Sequence, residues 1–279
     1  MIIQAGARNW SDFFYYLENG ASEIYCALNG IPGHCYRGKD FETPSEILKA
    51  AKSAHEKGVR LYMVANEVQA GLFDITVSTV REMVKNGIDG VIIRDLSILE
   101  ALKRKKIKTE FILSSLALCF NKETLKFYSD MGISRIAIPE QLLPSEARNI
   151  VKNNLGISTE IFLSAREYCV VLNGFCYLSD FTGKCICRDP FKSGHRNRFL
   201  PRPDSKEHFS RLYDFYSMGV NTLKIGRHPH GHYARLLFQE AKAILKLLES
   251  GIDKKNFIEK SLEIDSKIGL ILNKGVKRK

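Results

Sequence analysis

The sequence predicts an α/β protein built as a (β/α)8 TIM-like barrel, with a long cysteine-bearing loop after the seventh strand. One unit recurs along the chain: an amphipathic helical stretch, a glycine where it stops, then a short run rich in β-branched residues. Strands that alternate with helices pair in parallel through crossovers, and eight such units in 279 residues suit a closed barrel better than an open doubly wound sheet. No glycine-rich phosphate loop follows the first strand, which weighs against a dinucleotide-binding sheet.

The first strand opens at Ile2-Ile3. Asn19-Gly20 then precedes a run at 23–26, Lys57-Gly58 one at 59–64, and Asn86-Gly87 one at 91–93. A fifth run lies at 110–113. Met131-Gly132, Leu155-Gly156 and Met218-Gly219 introduce the last three, at 135–138, 160–163 and 222–225. Glycine recurs at these joints because a helix often ends in a left-handed conformation that costs it little. Helix starts have a physical signature too. Thr43-Pro44-Ser45-Glu46 combines a capping hydroxyl, a first-turn proline and an acidic residue three positions after the cap, with similar signals at Pro144-Ser145-Glu146 and Asp204-Ser205-Lys206-Glu207.

Residues 1–250 therefore read as one barrel domain that includes a cysteine-rich loop at 164–204, followed by a basic C-terminal tail at 251–279. Hydrophobic residues make up 44% of the chain, as a globular protein requires, and the formal net charge is +11. Cations concentrate at Lys103-Arg-Lys-Lys-Ile-Lys108 and at Lys277-Arg-Lys279. That balance permits contact with RNA through phosphate neutralisation, and solvated helix faces explain it about as well. The start, Met1-Ile-Ile-Gln-Ala-Gly, is unlike a signal peptide, and no apolar run reaches membrane-spanning length, so a cytoplasmic location is expected.

Four of the seven cysteines, Cys169, Cys176, Cys185 and Cys187, fall in one short window after the seventh strand. Thiols grouped this way in a chain with no secretory signal bind metal more often than they form disulfides. Soft thiolates suit zinc, copper(I) or iron-sulfur clusters. Spacing argues mildly against structural zinc, which prefers two tight Cys-x(2–4)-Cys knuckles, whereas four thiolates on an irregular loop tolerate a cluster. In a barrel, functional groups sit on loops after the strand C-termini, and a connection as long as 164–204 often signals function. Cys35 follows the second strand in another extended loop and could reach the same mouth.

These residues carry a resemblance. Cys169-x4-Gly174-x-Cys176-x-Leu178-Ser179, preceded by Glu160-Ile-Phe162, resembles the signature of the U32 family, long labelled collagenase-like peptidases. Ala5-Gly6, Gly20-Ala21-x-x-Ile24-Tyr25, Leu113-Ser114 with Asn121, and Gly219-Val220-x-x-Leu223-Lys224-Ile225-x-Arg227 agree with it, so that the likeness spans roughly residues 1–245. The resemblance implies a barrel holding a [4Fe-4S] cluster through four of Cys35, Cys169, Cys176, Cys185 and Cys187. It implies a part in oxygen-independent hydroxylation of a small aromatic quinone precursor, as in ubiquinone biosynthesis, or of an RNA base. A paralogous U32 partner fits the same picture. Leu118-Cys119-Phe120-Asn121 resembles an Asn-Cys-Tyr-Asn segment of the quinone pair.

Arg227 ends the eighth strand, where a planar guanidinium can hold a carboxylate or phosphate in two hydrogen bonds. His228-Pro-His-Gly-His232 lies just beyond it and reads as solvated loop histidines or donors to an anionic substrate, rather than a hydrolytic metal site. On position alone, His230 or Glu167 could act as general acid or base. Two alternatives stand beside the hydroxylase reading. One is a U32-type peptidase, though no Gly-x-Ser-x-Gly elbow or His-Glu-x-x-His helix is present. The other is a non-catalytic iron-sulfur accessory or scaffold protein.

Overall fold

Eight parallel strands close on themselves in the order β1-β10-β7-β6-β5-β4-β3-β2. The structure is a computed structural model and describes residues 1–31, 41–66, 70–163, 190–198, 204–227 and 231–276. The barrel strands are β1 (Ile2–Gly6), β2 (Glu23–Cys26), β3 (Arg60–Ala65), β4 (Gly90–Ile93), β5 (Glu110–Leu113), β6 (Arg135–Ala137), β7 (Ser158–Phe162) and β10 (Thr222–Ile225). Every run expected from the sequence is there. Outside them stand α1 (Trp10–Glu18), α2 (Pro44–His55), α3 (Phe73–Lys85), α4 (Leu96–Arg104), α5 (Lys122–Asp130), α6 (Pro144–Val151), α7 (Ser205–Met218), α8 (Gly231–Glu249) and α9 (Lys254–Val276).

Local chemistry explains several boundaries. At α2 the Thr43 side chain accepts from the Glu46 amide while Glu46 reaches back to the Thr43 amide, a complete capping box. At α6 only half of that arrangement exists: Glu146 accepts from the Leu143 amide at 2.8 Å, and leucine has no oxygen to return the bond. Asp204 caps α7 by accepting from the Glu207 amide at 2.7 Å. The joint between α4 and β5 departs from the glycine rule, since Lys106 takes the left-handed conformation there (φ 56°).

Two elements were not foreseen. The long connection after β7 contains a short antiparallel hairpin, β8 (Phe191–Ser193) and β9 (Arg196–Arg198). The segment read from sequence as a basic tail forms α9 for most of its length. Phe257 of α9 is fully buried and lies edge-on to Phe209 of α7, and Lys254 pairs with Asp214 at 2.7 Å. No helix among the described residues is long and apolar enough to cross a membrane.

Two apolar bodies hold this frame. A large one lies between barrel and helices, from Phe13 and Tyr16 through Leu61, Val91 and Leu113 to Phe238. A smaller one, Tyr25, Ala27, Tyr62, Val64, Ile92 and Ile112, fills the barrel interior. Tyr62 and Val64 occupy alternate positions on β3, as do Tyr25 of β2 and Ala27 just after it, and the two-residue period of a strand dictates this spacing.

Candidate functional site

Charge closes the barrel at its other end. Glu23, Arg60, Glu110 and Arg135 are each the first residue of their strand, so they gather at the strand N-termini. Arg135 holds Glu23 with two hydrogen bonds, 2.6 and 3.0 Å, and lies 2.8 Å from Glu110. β2 and β6 stand opposite each other in the ring, so this pair spans the interior. Gln4 donates to Glu23 at 2.9 Å, Tyr62 donates to Glu110 at 2.7 Å, and Arg60 pairs with both carboxylates. One step further in, fully buried Lys224 contacts Glu160 at 2.5 Å and stands 4.6 Å from the Tyr25 ring centroid. Three carboxylates thus face three cations. Burial alone would raise the Glu23 pKa, but Arg135, Arg60 and Gln4 outweigh it and hold the carboxyl below its usual range. Burial pushes Lys224 down despite Glu160. Sequence reasoning missed this floor, although its signal was visible as a single charged residue in each of several otherwise apolar strands.

At the strand C-termini the chain repeatedly leaves the described residues. Segment 32–40 lies beyond β2, 164–189 beyond β7, and 228–230 beyond β10. The ring order β7-β10-β1-β2 makes these strands near neighbours. Thus the routes to Cys35, to the cysteine window and to the histidine loop start from one half of one barrel end. Phe41 returns the Cys35 segment to that end, its carbonyl accepting from the Asn29 amide at 2.7 Å. Cys35, Glu167, Cys169, Cys176, Cys185, Cys187 and His230 themselves lie outside the described residues.

Arg227 is the described member of the expected site, and it is buried at this mouth. Its Cγ lies 2.6 Å from where a Cβ on Gly6 would stand, and the Tyr25 ring edge lies 2.7 Å from the same point. Tyr25 in turn donates to the Ile225 carbonyl at 3.1 Å, joining β2 to β10 across β1. Beyond β1, buried Arg8 pairs with Asp12 at 3.0 Å. Asp12 Oδ1 is 3.1 Å from the point a Cβ on Gly231 would occupy, so glycine suits the place where the chain returns after the histidine loop.

Beside β7, a cavity of about 40 Å³ opens between the ends of β6 and β7 and helix α7, lined among others by Pro139, Glu140, Phe162, His208 and Arg211. Buried His208 Nε2 has no hydrogen-bond partner among the described residues. Burial lowers its pKa to about 4, with Asp265 opposing and Arg211 assisting.

The described residues offer little to a metal. No group of three or more His, Cys, Asp or Glu side chains assembles among them. Their two cysteines, Cys26 and Cys119, are buried thiols outside any disulfide. Cys26 donates weakly to the Tyr62 carbonyl at 3.7 Å, as expected of a packing residue in a strand. Burial raises the Cys119 thiol to about 11, which makes it a poor nucleophile and a poor ligand as it stands. The five other cysteines lie outside the described residues, and thiolates are the ligands that iron-sulfur clusters take.

The fold defines a (β/α)8 protein, an architecture whose functional groups sit on the loops after the strand C-termini. The chain belongs to Peptidase family U32, whose model it matches over residues 8–276. It is 26% identical over 178 residues to tRNA hydroxylation protein P of Escherichia coli (strain K12), covering 63% of this chain and 38% of that protein. It is 22% identical over 284 residues to tRNA hydroxylation protein P1 of Bacillus subtilis (strain 168), covering 92% of this chain and 65% of that protein. The chain thus spans less than two thirds of either relative. A solved monomeric dihydrodipicolinate synthase variant superposes with a TM-score of 0.53 at 9% identity, over 97% of this chain and 80% of that one, a likeness of fold alone.

Proposed function

We propose that this chain takes part in hydroxylation of tRNA and holds a [4Fe-4S] cluster through four of Cys35, Cys169, Cys176, Cys185 and Cys187. The observation that carries this reading is the convergence of three routes, towards Cys35, the cysteine window and the histidine loop, on neighbouring strand ends beside buried Arg227. The names of its relatives favour the RNA branch over a quinone precursor.

Hydroxylation replaces a C–H bond by C–OH, a two-electron oxidation, so an oxygen source and an electron acceptor must accompany the protein. A bound cluster would supply electron transfer. The chain's own contribution starts with Arg227, whose guanidinium can hold a substrate phosphate in paired hydrogen bonds. Its stem is fixed by passing over Gly6 against Tyr25. His230 and Glu167 are proposed to move the proton released from the hydroxylated atom. The charged floor keeps the opposite end of the barrel shut.

The test is a comparison of tRNA nucleosides by mass spectrometry from cells with and without the gene, grown without oxygen. A nucleoside heavier by one oxygen should vanish on deletion, return with the wild-type gene and stay absent with Cys176→Ala. Unchanged nucleosides alongside altered quinones would overturn the RNA reading.

A further inference from the structure

The hairpin of β8 and β9 carries a surface that no packing among the described residues uses. All six of its strand residues are exposed, and the sequence from Phe191 to Arg198 contains Lys192, Arg196 and Arg198 with no acidic residue. Register decides which side chains share a face. Phe191 pairs with Arg198 and Ser193 with Arg196, and directly opposed residues of an antiparallel pair project to the same side. One face therefore bears Phe191, Arg196 and Arg198, while Lys192 and Asn197 occupy the other. Phe191 is 46% exposed, and none of the three cations has an ion pair among the described residues. Gly194 (φ 61°) makes the tight turn that brings the two strands into this register.

An isolated two-stranded hairpin is marginally stable in water, and this one buries no side chain against the barrel. Its composition is therefore not explained by packing. An aromatic ring beside two guanidinium groups, with acids excluded, is the chemistry that holds unpaired nucleotides: the ring stacks on a base while the cations neutralise neighbouring phosphates. We propose that this hairpin is a docking platform for a single-stranded loop of RNA, with Phe191 as the stacking residue and Arg196 and Arg198 as phosphate contacts. The proposal rests on the tRNA reading above and adds where the nucleic acid is gripped. The position of the hairpin within the connection from β7 to α7, the same connection that carries the cysteine window, ties grip and chemistry to one segment of chain.

The experiment titrates the full chain with an unmodified tRNA transcript and follows fluorescence anisotropy at several salt concentrations. Phe191→Ala should weaken binding by about tenfold, in the range for removal of one base stack, while leaving the salt dependence unchanged. Phe191→Trp should restore it. Arg196→Gln with Arg198→Gln should weaken binding and also flatten the log–log salt slope by roughly 1.4, about 0.7 for each single-strand phosphate that is no longer neutralised. A control pair on α9, Lys260→Gln with Lys267→Gln, removes equal charge from an exposed helix face and should leave affinity within about twofold. Thermal melts should be alike for all variants, because the hairpin buries nothing. Equal losses from control and hairpin pairs, or full affinity in Phe191→Ala, would overturn the platform while leaving tRNA as the substrate. Wild-type protein that retains no tRNA even at low salt would overturn both readings. Concentration-dependent dimerisation that disappears in Phe191→Ala, with tRNA affinity intact, would instead make the hairpin an interface between copies.

Discussion

Arg227 passes so close over Gly6 that no other residue fits beneath it: a Cβ there would stand 2.6 Å from Arg227 Cγ. The last residue of the first strand thus sets where the guanidinium after the last strand can lie. Gly6→Ala should displace Arg227 and the Tyr25 ring together, cost about 1–3 kcal/mol as an overpacked site, and lower the proposed tRNA hydroxylation. Arg227→Lys keeps the charge but loses the planar fork, so it should reduce that proposed activity while leaving the content of the proposed cluster and the melting temperature near wild type. A melt of Arg227→Lys that falls as far as that of Gly6→Ala would make the arginine a structural strut.

The floor gives a sharper stability test. Glu23 receives both nitrogens of buried Arg135, and removing one partner of such a pair strands the other charge. Glu23→Gln should therefore destabilise the fold by about 3–5 kcal/mol in urea unfolding. A loss under about 1 kcal/mol would mean that Glu110 and Glu160 suffice to hold Arg135.

His208 makes stability depend on pH in a window above that of the carboxylates. Its folded pKa, about 4, lies below its ordinary 6.5, so the unfolded chain takes up the proton first as the solution is acidified. Stability from neutral His208 is complete above about pH 6.5 and drains away between 6.5 and 4, by up to roughly 3 kcal/mol. Arg211 on α7 and Asp265 on α9 face it with opposite effects, and Glu140 lines the same cavity. Melts of His208→Gln should lose most of their pH dependence between 6.5 and 4.5. A variant as pH-sensitive there as wild type would place the effect elsewhere.

Cysteines should divide by environment. Protein purified without oxygen should be brown, with iron and sulfide in near-equal amounts, and Cys176→Ala should lose the colour, since three thiolates rarely hold a cluster well. Cys26→Ala and Cys119→Ala should keep the iron, because both are buried thiols in the apolar core. Colourless wild-type protein with tightly held zinc would defeat the cluster proposal.

The eight strands were legible because each is a compact apolar run, six of them announced by a helix-ending glycine, and because parallel pairing follows from the helices between them. The hairpin was not, since Phe191-Lys-Ser and Arg196-Asn-Arg carry no apolar alternation and bury nothing. α9 hid behind its basic end: Phe257, Ser261 and Ile268 mark a buried helical face that the closing Lys277-Arg-Lys279 masked. At the strand C-termini, the position of Arg227 was readable from its place after the eighth strand. Its dependence on Gly6 was not, because the two residues meet only when the last strand closes against the first.

The charged floor also fixes the traffic of the barrel. With Arg135, Glu23 and Tyr62 knitted across the strand N-termini and Val64, Ile92 and Ile112 packed above them, the interior is a plug rather than a passage. Whatever docks at the strand C-termini must leave from the side on which it arrived. Arrival and departure then compete for one doorway, which places control over exchange with whatever stands at that threshold.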